Sequence, residues 1–315
     1  MRRALAAQLA AVLAAAALAG CAAPQSDALL ARARAGERVP QAHSLAGVPF
    51  FPQVDHACGP ASLASLLAAS GAGVEPQVLV PELLVPGRSG TLAPEMLAAA
   101  RRHGRLAVQI PGTLDAILSE VDAGRPVAVL LNLGLGWLPL WHYAVVTGYD
   151  LRAGELHLHS GSREDEAFAI EVFERTWARA GHWAMVATLP GDLPASPPYD
   201  SLLLAAAALE RTDPAAARLS WRALAEREPA RFEPWMGIGN SSAALGEPGR
   251  AREAFEQAVH LAPDRADAWN NLASVLAQQG ELARAREAIA RALLLPGGHR
   301  DIIERTAREI AAPVP

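Results

Sequence analysis

The hydrophobic pattern changes character four times along the chain. Residues 4–18 form an Ala/Leu/Val run interrupted only by Gln8, and the stretch from Ala22 to Ala46 is polar, Ala/Arg-rich and weakly periodic, with one short helix predicted near Asp27–Ala35. From Val48 onward the pattern breaks into short elements. Ala61–Ala69 (ASLASLLAA) reads as a helix, and so does Pro94–His103 (PEMLAAARRH), which Gly104 ends. Thr113–Ala123 is a further helix, with Thr113 as its cap, Leu114, Ile117, Leu118 and Val121 on one face, and Gly124 as its stop. Strand-length runs are predicted at Leu106–Ile110, Pro126–Asn132, Tyr143–Thr147, Glu155–His159, Ala167–Val172 and His182–Leu189, with a helix at Phe173–Ala180 and loops over Gly71–Gly90. Helices come first and antiparallel strands afterwards, an α+β order. Gly191–Tyr199 (GDLPASPPY) is Pro-rich, and beyond it only helical periodicity is left.

That last region repeats itself every 34 residues: Trp235 with Trp269, Gly246 with Gly280, Ala251 with Ala285, Ala254 with Ala288, Ala258 with Ala292 and Pro229 with Pro263. The spacing is that of the tetratricopeptide repeat, in which an aromatic residue packs in the first helix, Gly ends it and small alanines let the second helix approach. A degenerate unit precedes these, with Ser201–Leu209 as its first helix and Ala217, Trp221 and Pro229 in its second, and Gly297–Ala312 supplies a capping helix. An all-α stack of about three units is expected, with a groove for a protein partner.

Composition narrows the function classes. With 51% hydrophobic residues, 19% charged and a net charge of −5, the chain reads neither as disordered nor as a binder of nucleic acid. There are only two cysteines. The first, Cys21, ends Leu18-Ala19-Gly20-Cys21 after a basic start (Arg2, Arg3) and the apolar run, which is the layout of a secretory signal peptide. The tetrapeptide resembles the bacterial lipobox. That resemblance implies cleavage before Cys21, a lipid anchor on its sulfur, and, with Ala22 following, the periplasmic face of the outer membrane. An acylated Cys21 leaves Cys58 without a disulfide partner inside the chain.

Cys58 stands at a turn before the Ala61–Ala69 helix, with Gly59-Pro60 after it and Gln53 five residues before it. Unpaired N–H groups and the positive end of the helix dipole stabilise an anion there, and a buried, inert thiol is the alternative. His142 opens the strand Tyr143–Thr147 beside Trp137 and Trp141, either as a general base or as a satisfied core residue. Asp55 and His56 read as surface residues. His157 and His159 alternate on one strand, which sheet-edge placement explains as well as a metal does, so no metal or other cofactor is assigned.

Gln53-x4-Cys58-Gly59-Pro60-Ala61-Ser62, then Arg125-Pro126-Val127 before an apolar strand, then His142-Tyr143-Ala144-Val145-Val146-Thr147-Gly148-Tyr149-Asp150 resemble the papain-like bacteriocin-leader peptidases that cut after a double glycine. The resemblance implies that Cys58 is the nucleophile of a thioester mechanism, His142 its base, and Gln53 an oxyanion donor together with the Cys58 N–H. The family places an Asp at the end of the strand after His; here Ser160 occupies that place. Ser160 as a weaker orienter, Asp165 folding back, or a Cys-His dyad are the three options.

The expected organisation is a signal peptide over 1–20, a tether over 21–47, a papain-like cysteine peptidase domain over 48–190, a linker over 191–199 and a tetratricopeptide domain over 200–315. The expected activity is peptide cleavage, with the repeats recruiting a substrate or partner. Two alternatives stand beside it: a catalytically lapsed adaptor acting through its repeats, and a thiol amidase or acyltransferase.

Overall fold

The structure, a computed structural model, describes residues 23–37, 39–53, 57–84 and 90–312. The signal peptide, Cys21, Asp55 and His56 lie outside the described residues. The described chain forms two compact units, and no helix in it is long and apolar enough to cross a membrane.

The first unit is α+β. In chain order it contains α1 (Pro24–Arg34), β1 (Ala42–Ser44), α2 (Cys58–Ala69), α3 (Pro76–Leu83), α4 (Ala93–Arg102), β2 (Leu106–Gln109), α5 (Leu114–Asp122), β3 (Val127–Asn132), β4 (Trp141–Asp150), β5 (Glu155–Ser160), β6 (Arg163–Ala169), α6 (Ile170–Ala178) and β7 (Ala184–Thr188). One sheet holds all seven strands in the order β2-β7-β3-β4-β5-β6, with β1 paired to β4. β4 is its organising strand. β3 pairs with it antiparallel through Leu131↔His142 to Val127↔Val146, and β5 on the other side through Val145↔His159 and Val146↔Leu158. β1 takes the far end, Ser44 facing Gly148, where a Cβ would lie 2.8 Å from the His43 carbonyl oxygen. Only glycine fits so close an approach.

α2 packs on β4 and β3 and is apolar on nearly every side, with Leu63, Leu66 and Leu67 fully buried. Trp177 and Phe173 of α6 fill the space beside β3, and the Trp177 indole N–H donates to the Trp183 carbonyl at 2.8 Å. The predicted cap of α5 is in place: Thr113 Oγ1 accepts from the Ala116 N–H at 3.2 Å.

The elements depart from the hydrophobic pattern in four places. α3 lies within the stretch read as loop, because two prolines, Pro76 and Pro81, mask a one-sided apolar face that buries Leu79 and Leu83. β6 spans Arg163–Ala169, earlier and more polar than the Ala167–Val172 run, since pairing with β5 sets its extent and its side chains stand mostly in solvent. The residues read as a tether contain β1 and a helix that is packed down: the N–H and Oγ of Ser26 both donate to Glu174 Oε2 at 2.6 Å, and the Gln25 N–H to Glu174 Oε1 at 3.0 Å. In the linker, Ser196 repeats this device, its N–H and Oγ both donating to Glu120 Oε1 at 2.6 Å.

The chain beyond the linker is all α: α7 (Tyr199–Glu210) with α8 (Pro214–Arg227), α9 (Glu233–Ala244) with α10 (Pro248–Leu261), α11 (Ala266–Gln278) with α12 (Leu282–Leu294), and α13 (Arg300–Ala311) as the last helix. Small residues at the repeat positions set the spacing. A Cβ on Gly237 would lie 2.2 Å from the Trp221 ring, and one on Gly239 2.3 Å from the Phe255 ring. The buried alanines 251, 258, 285, 288 and 292 form one core with Phe255, Leu272, Leu276 and Ile289.

Candidate active site

Cys58 is the first residue of α2, and the first helical bond runs from the Ala61 N–H to the Ala57 carbonyl at 3.0 Å. The N–H groups of Cys58 and Gly59 precede that bond and have no partner within the helix. Pro60 removes a third N–H at no cost. No acidic residue occupies this first turn, so no carboxylate of the helix itself offsets its positive end. The thiol is free and half-buried. Gly59 is required by a close approach, since a Cβ there would meet Thr91 Oγ1 at 2.3 Å. Thr91 is in turn fixed from the sheet, its carbonyl accepting from the Tyr143 phenol at 3.2 Å.

Tyr143 joins the two halves of the site. Its phenol is pushed well above the ordinary range, first by burial and then by the negative charge at Cys58. Through Thr91, the phenol of the residue that follows His142 reaches the first turn of the Cys58 helix. Gln53 meets the same point of the sheet: its N–H donates to the Gly161 carbonyl at 3.0 Å and its side-chain Nε2 to the Tyr143 carbonyl at 3.3 Å. The second proton on that nitrogen is left for another acceptor.

His142, the second residue of β4, places its Nε2 3.0 Å from Ser160 Oγ at the end of β5. With Nε2 turned to Ser160, Nδ1 is the ring nitrogen left to exchange a proton with a thiol. Burial lowers the His142 pKa, opposed by the negative charge of Glu166. Glu166 is a residue that the sequence reading missed. β5–β6 pairing puts it opposite Leu158, which faces Val146, so Glu166 shares a sheet face with Ala144 and His142. Ser160, paired with Arg163, lies on that face too. A register shift between Leu158 and Ser160 brings Arg163 and Glu166 together, their ion pair 2.5 Å long. No motif spacing signals this carboxylate, because the shift that aligns it is set by the hairpin.

Asp165 does not reach His142. It sits at the shift with φ +53°, its Oδ2 3.4 Å from His157 Nδ1 and its Oδ1 3.5 Å from Thr147 Oγ1. His157 and His159 part company as well. His159 is buried and donates from Nε2 to the Val48 carbonyl at 3.0 Å, while its Nδ1 accepts from the Asp165 N–H at 3.2 Å. Its ring meets Phe50 edge-on, so it pins the segment that carries Gln53. The structure thus brings Gln53, His142 and Ser160 to the β4–β5 end of the sheet, with Cys58 on the helix packed against it.

Residues 45–185 match the Peptidase_C39 like family, and residues 237–299 match the tetratricopeptide repeat. No curated protein matches the chain. Among solved structures, a protein from Bacillus anthracis described as a C39-like peptidase is 20% identical, with 47% of this chain covering 98% of that one at a TM-score of 0.40. The type III secretion translocator chaperone SycD of Yersinia enterocolitica is 18% identical, with 36% of this chain covering 82% of it at a TM-score of 0.34. The Sgt2 tetratricopeptide domain of Aspergillus fumigatus is 22% identical, with 36% of this chain covering 76% of it at a TM-score of 0.34. By the two family models and the elements described above, the chain joins a C39-like peptidase domain, matched over 45–185, to tetratricopeptide repeats matched over 237–299.

Proposed function

We propose that this protein is an exported, lipid-anchored cysteine peptidase whose repeats recruit its substrate or a partner protein. Cys58 attacks the peptide carbonyl, and His142 takes the thiol proton and returns it to the leaving amine. The resulting thioester is hydrolysed by water. Gln53 and the Cys58 N–H stabilise the oxyanion at both tetrahedral stages. Ser160 accepts from His142 Nε2 and holds the ring for this exchange. Cys21, diacylated on its sulfur and made N-terminal by cleavage of residues 1–20, anchors the chain in the outer membrane facing the periplasm. The observation that carries the peptidase reading is the 3.0 Å contact between His142 Nε2 and Ser160 Oγ on the strands against which the Cys58 helix packs.

The test is cleavage of a peptide library, together with alkylation of Cys58 by iodoacetamide. Cys58→Ala and His142→Ala are expected to abolish cleavage with unchanged circular dichroism, and Gln53→Ala to lower kcat about a hundredfold. Wild-type protein that neither cleaves peptides nor alkylates faster than a free thiol would sink the reading. Ser160 in the place of a carboxylate favours a second reading, a lapsed adaptor, under which a Cys58→Ala strain behaves as wild type and loss of residues 199–315 does not. Mass spectrometry of the acyl group trapped on Cys58 separates proteolysis from amide hydrolysis or acyl transfer on other substrates.

A further inference from the structure

Between β3 and β4 the chain makes a hairpin whose sequence, Leu133 to Trp141 (LGLGWLPLW), holds no charge and six large apolar side chains. All six are exposed: Trp137 is 79% exposed, Leu138 63% and Leu140 60%, followed by Leu135, Trp141 and Leu133. An apolar run of this kind on a folded surface marks an interaction site.

The hairpin is built, not loose. Leu135 and Leu138 exchange both of their backbone bonds, at 3.0 and 3.1 Å, and the Leu133 N–H donates to the Leu140 carbonyl at 2.9 Å. Asn132, buried at the base, accepts on Oδ1 from the Gly134 and Leu140 N–H groups, both at 3.0 Å, and donates from Nδ2 to the Leu135 carbonyl at 3.4 Å. Gly134 lets the two arms close, since a Cβ there would lie 2.4 Å from the Leu138 carbonyl oxygen. Arg179, at the end of α6, clamps the Asn132 carbonyl with two N–H bonds of 2.9 and 3.2 Å. Pro139 has no N–H to satisfy.

We propose that this hairpin is a membrane-contact element that seats Trp137 and Leu138 in the interfacial region of a lipid bilayer. Two features choose lipid over a protein occupant. The N–H groups of the hairpin arms, Leu133, Gly134, Leu135, Leu138 and Leu140, are bonded inward, which leaves those arms no free edge for a strand-adding peptide, and only the tip N–H groups of Gly136 and Trp137 are left for the polar headgroup region. The projecting side chains are tryptophan and leucine, the residues that hold amphipathic elements at the headgroup boundary.

A bilayer is at hand under the anchor reading above, on which this part of the inference rests. Ala23 is buried on the same unit, two residues after Cys21, and α1 is tied to α6 through Ser26 and Glu174. The same helix ends at Arg179, which clamps the hairpin. Acyl chains on Cys21 therefore hold this unit within about 10 Å of chain length from the membrane surface, with no free spacer between.

The experiment uses the acylated full-length protein in vesicles of phosphatidylethanolamine and phosphatidylglycerol, with and without bromine on the acyl chains. Bromolipid is expected to quench tryptophan emission. Trp137→Ser is expected to remove most of that quenching, with thermal unfolding and Cys58 alkylation as in the wild type. Equal emission from the two kinds of vesicle, with the acyl mass on Cys21 present, overturns the proposal and leaves the anchor standing. Absence of that mass overturns the anchor, and quenching on mixing the unacylated protein with vesicles then decides the hairpin by itself. Slower cleavage of a soluble peptide by Trp137→Ser without lipid assigns the hairpin to substrate, and a Trp137-dependent dimer in sedimentation assigns it to a second copy; either result overturns the proposal.

Discussion

At the scale of single residues, the group proposed to carry the proton is His142, and its titration follows from what surrounds it. Burial favours the neutral ring, while the negative charge of Glu166 partly restores the cation. The folded-state pKa therefore lies below the ordinary value of about 6.5. In the unfolded chain the ring binds its proton first as pH falls. Over the interval between the two values the unfolded state holds more protons, so His142 contributes stability above about pH 6.5 that is lost as pH falls through its folded pKa. A titration of the His142 ring protons by NMR is expected to give a midpoint below that of a model imidazole. Glu166→Gln is expected to lower the midpoint further, because the substitution removes the charge that opposes burial. A midpoint that stays put or rises in that variant would show that Glu166 does not act on the ring. Ser160 supplies the hydrogen bond that fixes which nitrogen faces it, and Glu166 supplies charge without that bond.

At the scale of elements, two stretches whose composition reads as spacer are held by the same small device. Ser26 on α1 and Ser196 after β7 each donate an N–H and a hydroxyl to one oxygen of a fully or nearly fully buried glutamate, Glu174 and Glu120. Losing such charge-assisted bonds costs about 1.5–3 kcal/mol each, although the Ser26 hydroxyl keeps the Ile170 carbonyl as an acceptor at 3.2 Å. Glu174→Ala, which removes three such bonds, is expected to destabilise the first unit by about 4 kcal/mol or more in urea unfolding and to open Arg32 and Arg34 to trypsin. An unchanged midpoint with intact tryptic resistance would mean that α1 is held by its apolar face alone.

These pins also explain what could be read from the amino acids alone. The Cys58 helix, the capped α5 and the strands β3 and β4 were legible because each carries its own apolar period, and Cys58 and His142 could be placed near the starts of two of these elements, while Gln53 stands in the loop before them. α1 was legible as a helix but its packing was not, nor were β1, the extent of β6 and Glu166, because partners far away in the chain set them: Ser26 is held by Glu174, β1 by Gly148, and Glu166 by a register shift. A lone Ser-to-Glu pair separated by 148 residues leaves no local trace.

At the scale of the whole molecule, the division into two units predicts that damage to one is not transmitted as chemistry to the other. In a repeat stack, stability is carried by nearest-neighbour interfaces, so the weakest point is a position where two helices have no room to separate. Gly239 is such a position: the Phe255 ring of α10 stands where a Cβ would be. Phe255 is buried in the core that spans α10 to α13, so moving its ring disturbs the interfaces on either side. Gly239→Ala gains about 1 kcal/mol in helix propensity, yet overpacking of this kind costs about 1–3 kcal/mol, and the clash is expected to win. Thermal unfolding followed at 222 nm, where the helices dominate, is expected to show the helical transition moved to lower temperature. The rate at which iodoacetamide modifies Cys58 at 25 °C is expected to stay at the wild-type value. Gly237→Ala, which places its Cβ against the Trp221 ring one interface earlier, is expected to do the same. If either variant alters Cys58 reactivity while the helical transition is unchanged, the repeats and the peptidase unit are not separable. If both observables fall together, the chain unfolds as one cooperative body.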